Sequence, residues 1–147
     1  MTDLFRFRQT TLYHRLNTRM NELAKIGKSP YQVLMREVSD TIQDLAMAYG
    51  ERIAIESCHS FLTRVQSAEN KELMTTVFRI FAIDAVIRDL GFYLLNGAIN
   101  QTAAKALVET QKKLIKQAAT NITVLLDSLN VAKDALYTPL SADYVDY

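Results

Sequence analysis

Apolar residues recur at helical spacing along almost the whole chain, and the pattern predicts four helices and a tail. The first helix runs from about Asp3 to Ile26, with Phe5, Leu12, Leu16 and Leu23 on one face. Asp3 is placed to cap its start, and Gly27 follows the last apolar residue, where a helix stop is expected. The second opens at Ser29, a good N-cap, with Pro30 at the first helical position. Its stripe is Tyr31, Leu34, Val38, Ile42, Leu45 and Tyr49; beyond Gly50 the stripe changes side to Cys58, Phe61, Leu62 and Val65. One long helix packing different partners in its two halves is expected. An isolated helical glycine costs only about 1 kcal/mol against alanine, and no other turn residue is near.

After the loop "SAEN", the third helix runs from about Lys71 to Leu95 and is apolar nearly all round. That pattern predicts a central, buried helix. "NGAIN" closes it. The fourth runs from about Thr102 to Leu129, with Leu107, Leu114, Ala118, Ile122, Leu125 and Leu129 inward and Lys105, Lys112 and Lys116 opposite. The tail "DALYTPLSADYVDY" reads as irregular chain docked by Leu136, Tyr137 and Leu140. The fold class is all-α, an up-and-down four-helix bundle with a docked C-terminal tail, forming one domain over residues 1–147.

Composition narrows the function classes. Nearly half the residues are apolar (49%) and there are only four glycines and two prolines, which excludes a disordered chain or a strand-and-turn fold. Charges interrupt the densest apolar run, so no membrane-spanning helix is expected. Arginines from residue 6 onward interrupt the pattern of a signal peptide, so none is expected. The single cysteine, Cys58, cannot form an internal disulfide and fits a reducing compartment. The net charge of +1 gives no general affinity for nucleic acid or membrane. Beneath that total, residues 1–28 carry six basic residues against two acids, whereas residues 29–69 carry six acids against three basic residues. Neighbouring helices of opposite charge account for this. A site for an anionic partner is the alternative.

Candidate chemistry is sparse. Glu56 and His59 form a Glu-x-x-His pair, half of a di-metal bundle site. His14 lacks a glutamate three residues before it, so the second half is missing. Cys58 and His59 are adjacent and point about 100° apart on a helix, unsuited to a shared zinc. No metal is therefore expected. Nothing resembles a nucleophile elbow, a phosphate loop or a dinucleotide fingerprint. Asp84 and Arg88, four apart on the third helix, read as a structural ion pair, with a tuned acid or base as the alternative. Arg8, Arg15 and Arg19 share one face of the first helix. They read as a solvated or salt-bridged face, or as the candidate surface of a stand-alone adaptor for an acidic or anionic partner. Cys58, Phe61, Leu62 and Val65 form the candidate docking face toward a larger body.

Several stretches resemble the C-terminal helical domain of the acyl-CoA oxidases. "LFRFRQTTLYHRL" is similar to the Phe-Arg-x-Arg segment that opens the family's first helix. "LAMAYGERIAIESC" is similar to its Ala-x-Ala-Tyr-x-Glu centre. "VIRDLGFYLLNGAI" resembles its apolar helix with a glycine turn, and "LLDSL" and "LYTPLSADYVDY" its last helix and tail. The resemblance covers almost the whole chain in the family's order. It implies a parent flavoenzyme that oxidises acyl-CoA to trans-2-enoyl-CoA and passes electrons from FAD to oxygen in the peroxisome. It also implies a bundle that packs on the remainder of the oxidase chain and helps form a homodimer. The family's base and flavin ligands lie in other domains, so no residue here inherits either role, and the chain reads as a part of a longer protein. The family's Ser-Lys-Leu type ending does not occur at Asp146-Tyr147.

Overall fold

Three polar side chains start helices here. The Ser29 hydroxyl accepts from the Gln32 N–H while the Gln32 side chain accepts from the Ser29 N–H, closing a capping box around Pro30. Ser67 accepts from the Asn70 N–H at 3.2 Å and Asn100 from the Ala103 N–H at 2.8 Å. Two glycines stop helices. Gly27 (φ 78°) and Gly97 (φ 67°) adopt the left-handed conformation. In each case the next residue bonds back to the helix, Lys28 N to Leu23 O at 3.3 Å and Ala98 N to Tyr93 O at 2.9 Å. Both are Schellman stops, which glycine alone adopts without a Cβ penalty.

The computed structural model describes residues 1–128. Its elements are α1 (Thr2–Lys25), α2 (Pro30–Gln32), a π-helical turn (Val33–Glu37), α3 (Ser39–Leu62), α4 (Ala68–Arg88), α5 (Leu90–Leu95), α6 (Gln101–Ala119) and α7 (Ile122–Ser128). The fold among these residues is the expected all-α bundle. α1 lies antiparallel on α3, α3 on α4 and α4 on α6, and α5 continues beside α1 in the same direction. The tail residues Leu136, Tyr137 and Leu140, and Leu129 before them, lie outside the described residues.

The helix expected to continue through Gly50 does so, but breaks occur where none was expected. α3 passes through Gly50 without interruption, and both α1 and α4 pack on it. Its start is displaced instead. The π-helical turn closes with Val38 N–H to Val33 O at 3.1 Å, and Val38 (φ −129°, ψ 8°) leaves the helical region. The predicted third helix divides at Asp89 (φ −111°, ψ 26°), and the fourth at Thr120–Asn121. At the latter break the Thr120 hydroxyl donates to Gln117 O, a local bond that competes with the helix ladder. Asp3 does not cap α1; it lies in the first turn, and Met1 occupies the cap position.

The main core joins Phe5, Ile55, Ala82, Ala85, Val86 and Tyr93, with Phe92, Ile99 and Leu107 packed against it. Burying each large apolar side chain contributes about 1.5–3 kcal/mol. A smaller cluster, Leu23, Val33 and Val38, closes the far end of the α1–α3 pair. The expected all-round burial of the third helix is only partly met. Ala82, Ile83, Ala85, Val86 and Tyr93 are buried, while Phe81, Leu94 and Leu95 face outward and Leu95 is 89% exposed.

Candidate functional site

Arg8 projects from α1 between α3 and the α4–α5 break, and only 7% of it is exposed. Its Nη1 lies 2.5 Å from Glu51 Oε2, and its Nη2 pairs with the Asp89 carboxylate. Glu51 also receives Arg88 Nη2 at 3.2 Å, and Arg88 Nε lies 3.4 Å from Asp84 Oδ2. Gln111 Nε2 of α6 donates to Asp84 Oδ1 at 3.2 Å. One polar network therefore joins α1, α3 and α4 through charges and reaches α6 through the Gln111 amide. Two groups at its centre lack a hydrogen-bond partner among the described residues, Arg8 Nε and the Tyr93 hydroxyl. Burial pushes the Tyr93 phenol up to about 12; nearby Arg8 opposes this, while Glu51 and Asp89 add to it.

The sequence-predicted residues divide by environment. Asp84 and Arg88 do meet as an ion pair, but at the surface, with about half of each side chain exposed (51% and 55%). Asp84 is therefore not a carboxylate set among apolar groups. Arg8, Arg15 and Arg19 do not present one free basic face. Arg8 is buried in the charge network. Arg15 donates to Asn96 Oδ1 and lies 5.5 Å over the Phe92 ring. Arg19 pairs with Glu22 at 3.2 Å within its own helix. Further pairs, Arg6 with Glu56 at 2.9 Å and Lys28 with Glu37, place the basic segment against the acidic one.

The candidate docking residues lie mostly toward α4. Cys58 and Leu62 line a small groove of about 180 Å³ with Ile55, Thr75, Phe78 and Ala82. Phe61 meets Phe78 edge-on at 6.0 Å and stays 45% exposed, and Val65 is half-buried. Burial raises the Cys58 thiol above its ordinary value. His59 edges the same groove, and Glu56 is held by Arg6 and Arg52. Among the described residues no three His, Cys, Asp or Glu side chains converge as metal ligands. No described helix is long and apolar enough to cross a membrane.

Sequence reasoning passed over Glu51, Asp89 and Tyr93. The opposite charge of the first two segments was the available signal for Glu51, but nothing in a one-dimensional pattern marks Asp89 as a break. A flavin does not fit these residues by themselves. Both left-handed glycines are spent on helix stops, and Gly50 and Gly91 sit inside helices, so no glycine turn cradles a phosphate. An apolar groove of about 500 Å³ between α5 and α6 is lined chiefly by Leu90, Leu94, Ala104 and Val108 and carries Gln101, Lys105 and Glu109 as polar groups.

This geometry defines a helical bundle domain whose central charges bind its own helices together. The family model described as acyl-CoA oxidase matches residues 1–143, and the chain belongs to the acyl-CoA oxidase family. The all-helical fold accords with the C-terminal helical domain of such enzymes. Searches of curated proteins and of solved structures returned no match.

Proposed function

We propose that this chain is the C-terminal structural and dimerisation bundle of an FAD-dependent fatty acyl-CoA oxidase. The parent reaction converts acyl-CoA and O2 to trans-2-enoyl-CoA and H2O2, and FAD held by the remainder of the oxidase would supply the two-electron redox chemistry. Its setting is peroxisomal fatty acid β-oxidation. The family match along residues 1–143 carries this reading. The pairing of Arg8, Glu51, Asp89, Arg88 and Asp84 with one another supports a packing role, because groups so engaged hold helices together rather than await a substrate. Flavin, acyl-CoA and the catalytic base belong to the remainder of the oxidase, and this bundle alone turns nothing over.

The test mixes the purified chain with FAD and a fatty acyl-CoA. No peroxide and no retained yellow chromophore are expected; either one refutes the proposal. The rival reading, an adaptor for an acidic or anionic partner, is weakened by the burial of Arg8, which leaves only Arg15 and Arg19 of its three arginines at the surface. Charge reversal at Arg15 and Arg19 that abolished a salt-dependent association would restore it.

A further inference from the structure

One pattern recurs on α1, α3 and the α4–α5 segment. Phe5, Arg8 and Leu12 stand at positions i, i+3 and i+7 of α1, Ala48, Glu51 and Ile55 at those of α3, and Val86, Asp89 and Tyr93 at those of α4–α5. The outer two of each trio are buried, all at 7% exposure or less. The middle one is charged, and the spacing puts it on the same buried stripe. Arg8 and Glu51 stay inside, with side chains 9% and 11% exposed. Asp89 does not. Its side chain is 37% exposed, and the helix breaks at that residue.

Local chemistry does not account for the break. Residues 68–95 contain no proline, and Gly91 lies inside α5 without a left-handed backbone. Asp89 occupies the N-cap position of α5, where a carboxylate ordinarily accepts a backbone N–H, yet it makes no such bond. Its carboxylate is paired with Arg8 Nη2 instead. Arg8 forgoes a bond as well. With Nη1 on Glu51 and Nη2 on Asp89, its Nε is left buried without a partner among the described residues. An unpartnered buried donor is unfavourable, so the two carboxylates impose this placement of the guanidinium.

We infer that the junction is a bending device: the Asp89 carboxylate, drawn off the core stripe to Arg8, divides α4 from α5, and the local sequence does not. In one continuous helix from Ala68 to Leu95, Asp89 would lie between Val86 and Tyr93 against the apolar core, where a carboxylate is costly. The break lets it meet the guanidinium and water together. The bend also shapes the surface. Leu90 and Leu94, which follow it, wall one side of the groove between α5 and α6, and Ala104 and Val108 wall the other. A pair formed with a residue of the first helix thus sets the form of a groove at the far side of the bundle.

Nuclear magnetic resonance of the isotope-labelled 147-residue chain tests this. In the wild type, the α-carbon shift of Asp89 should leave the helical range between two helical stretches. Asp89→Val removes the carboxylate at nearly unchanged helix propensity. Helical shifts should then run unbroken from Ala68 to Leu95, and the Arg8 Nε–H resonance should shift as that donor takes a Glu51 oxygen. Gly91→Ala raises the local helix propensity in open space and should leave both the break and the Arg8 resonance where they are. A wild type that is helical through Asp89 overturns the inference. So does a break that survives Asp89→Val, or one that Gly91→Ala closes. If Asp89→Val closes the break without moving the Arg8 resonance, Arg8 does not hold the carboxylate and the inference fails. Should Asp89→Val not fold, Gly91→Ala decides alone. The peroxide assay judges the oxidase reading separately, so the two can fail independently.

Discussion

Replacing Arg8 by methionine keeps most of the side-chain volume and removes the charge from the junction of α1, α3 and α4. Removing one partner of a buried ion pair ordinarily costs about 3–5 kcal/mol, because the other charge is left buried and uncompensated. Two features here reduce that cost. Glu51, whose side chain is 11% exposed, keeps Arg88 at 3.2 Å, and Asp89 is 37% exposed and can be hydrated. The loss of the unsatisfied Arg8 Nε also removes a penalty. The expected destabilisation is therefore about 2–3 kcal/mol, toward the lower end for a broken buried pair. For a chain of this size that is a fall in Tm of roughly 5–10 °C. Urea unfolding followed by circular dichroism gives the free energy directly. Glu51→Gln in the same background should cost less than the sum of the two single changes, by about 1–2 kcal/mol, since the pair is one interaction. Arg19→Ala, at an exposed pair, should cost under about 1 kcal/mol. If Arg8→Met stays within about 0.5 kcal/mol of wild type, or if Arg19→Ala matches it, the buried junction does not hold the bundle together.

Tyr93→Phe removes a hydroxyl that has no partner among the described residues and should be neutral or slightly stabilising, whereas Tyr93→Ala should cost about 3–5 kcal/mol by denaturant titration. Because burial holds the folded-state phenol near 12, above its ordinary value of 10, the stability linked to Tyr93 is complete below pH 10 and is lost as pH rises toward 12. Absorbance at about 295 nm should show a late-titrating tyrosine that disappears in Tyr93→Phe. Gly97→Ala, at φ 67°, should destabilise by about 1–2 kcal/mol. Gly91→Ala, in open space within α5, should stabilise by about 0.5–1 kcal/mol in the same thermal scan. Cys58 should react with iodoacetamide more slowly at about pH 8 than free cysteine does, since burial raises its thiol.

The parts of the fold that were legible in sequence are those set by local chemistry. Ser29 before Pro30, and Gly27 and Gly97 after apolar runs, act in the structure through the local bonds that the residue types imply. The stripe of α1 was legible for the same reason, since Phe5, Leu12 and Leu23 fall on one side by spacing alone, but that of the predicted second helix was not: Val38 is buried while Tyr31, Leu34 and Tyr49 are exposed. The breaks were not. Asp89 leaves the helical region in a stretch with strong apolar character, where Arg8, far away in sequence, pairs with it. A π-helical turn at Val33–Glu37 shifts the register of α3 by one residue, and no residue type there announces it. The third helix misled for a related reason. Its large residues dominate the apolar pattern, yet its closest packing uses Ala82 and Ala85, which let neighbouring helices approach and leave Phe81 and Leu95 outside.

The same contrast bears on the candidate site. Three arginines at spacings of seven and four look equivalent along α1, and their environments separate them completely. Arg8 reaches the level of the α4–α5 break and is enclosed by it. Arg15, two turns further on, meets the short α5, donating to Asn96 at its end and lying over the Phe92 ring. Arg19 lies beyond the end of α5 and turns to its own helix. Burial thus falls along one face in step with how far the second layer of helices extends. Shortening that layer should therefore move the boundary. Asn96→Ala, which removes the Arg15 acceptor at the end of α5, should loosen Arg15 while leaving Arg8 protected. Hydrogen exchange at the amides of Arg15 and Leu16 should then rise while that of Arg8 stays constant. An equal rise at Arg8 would mean that α5, and not the Asp89 break, encloses it.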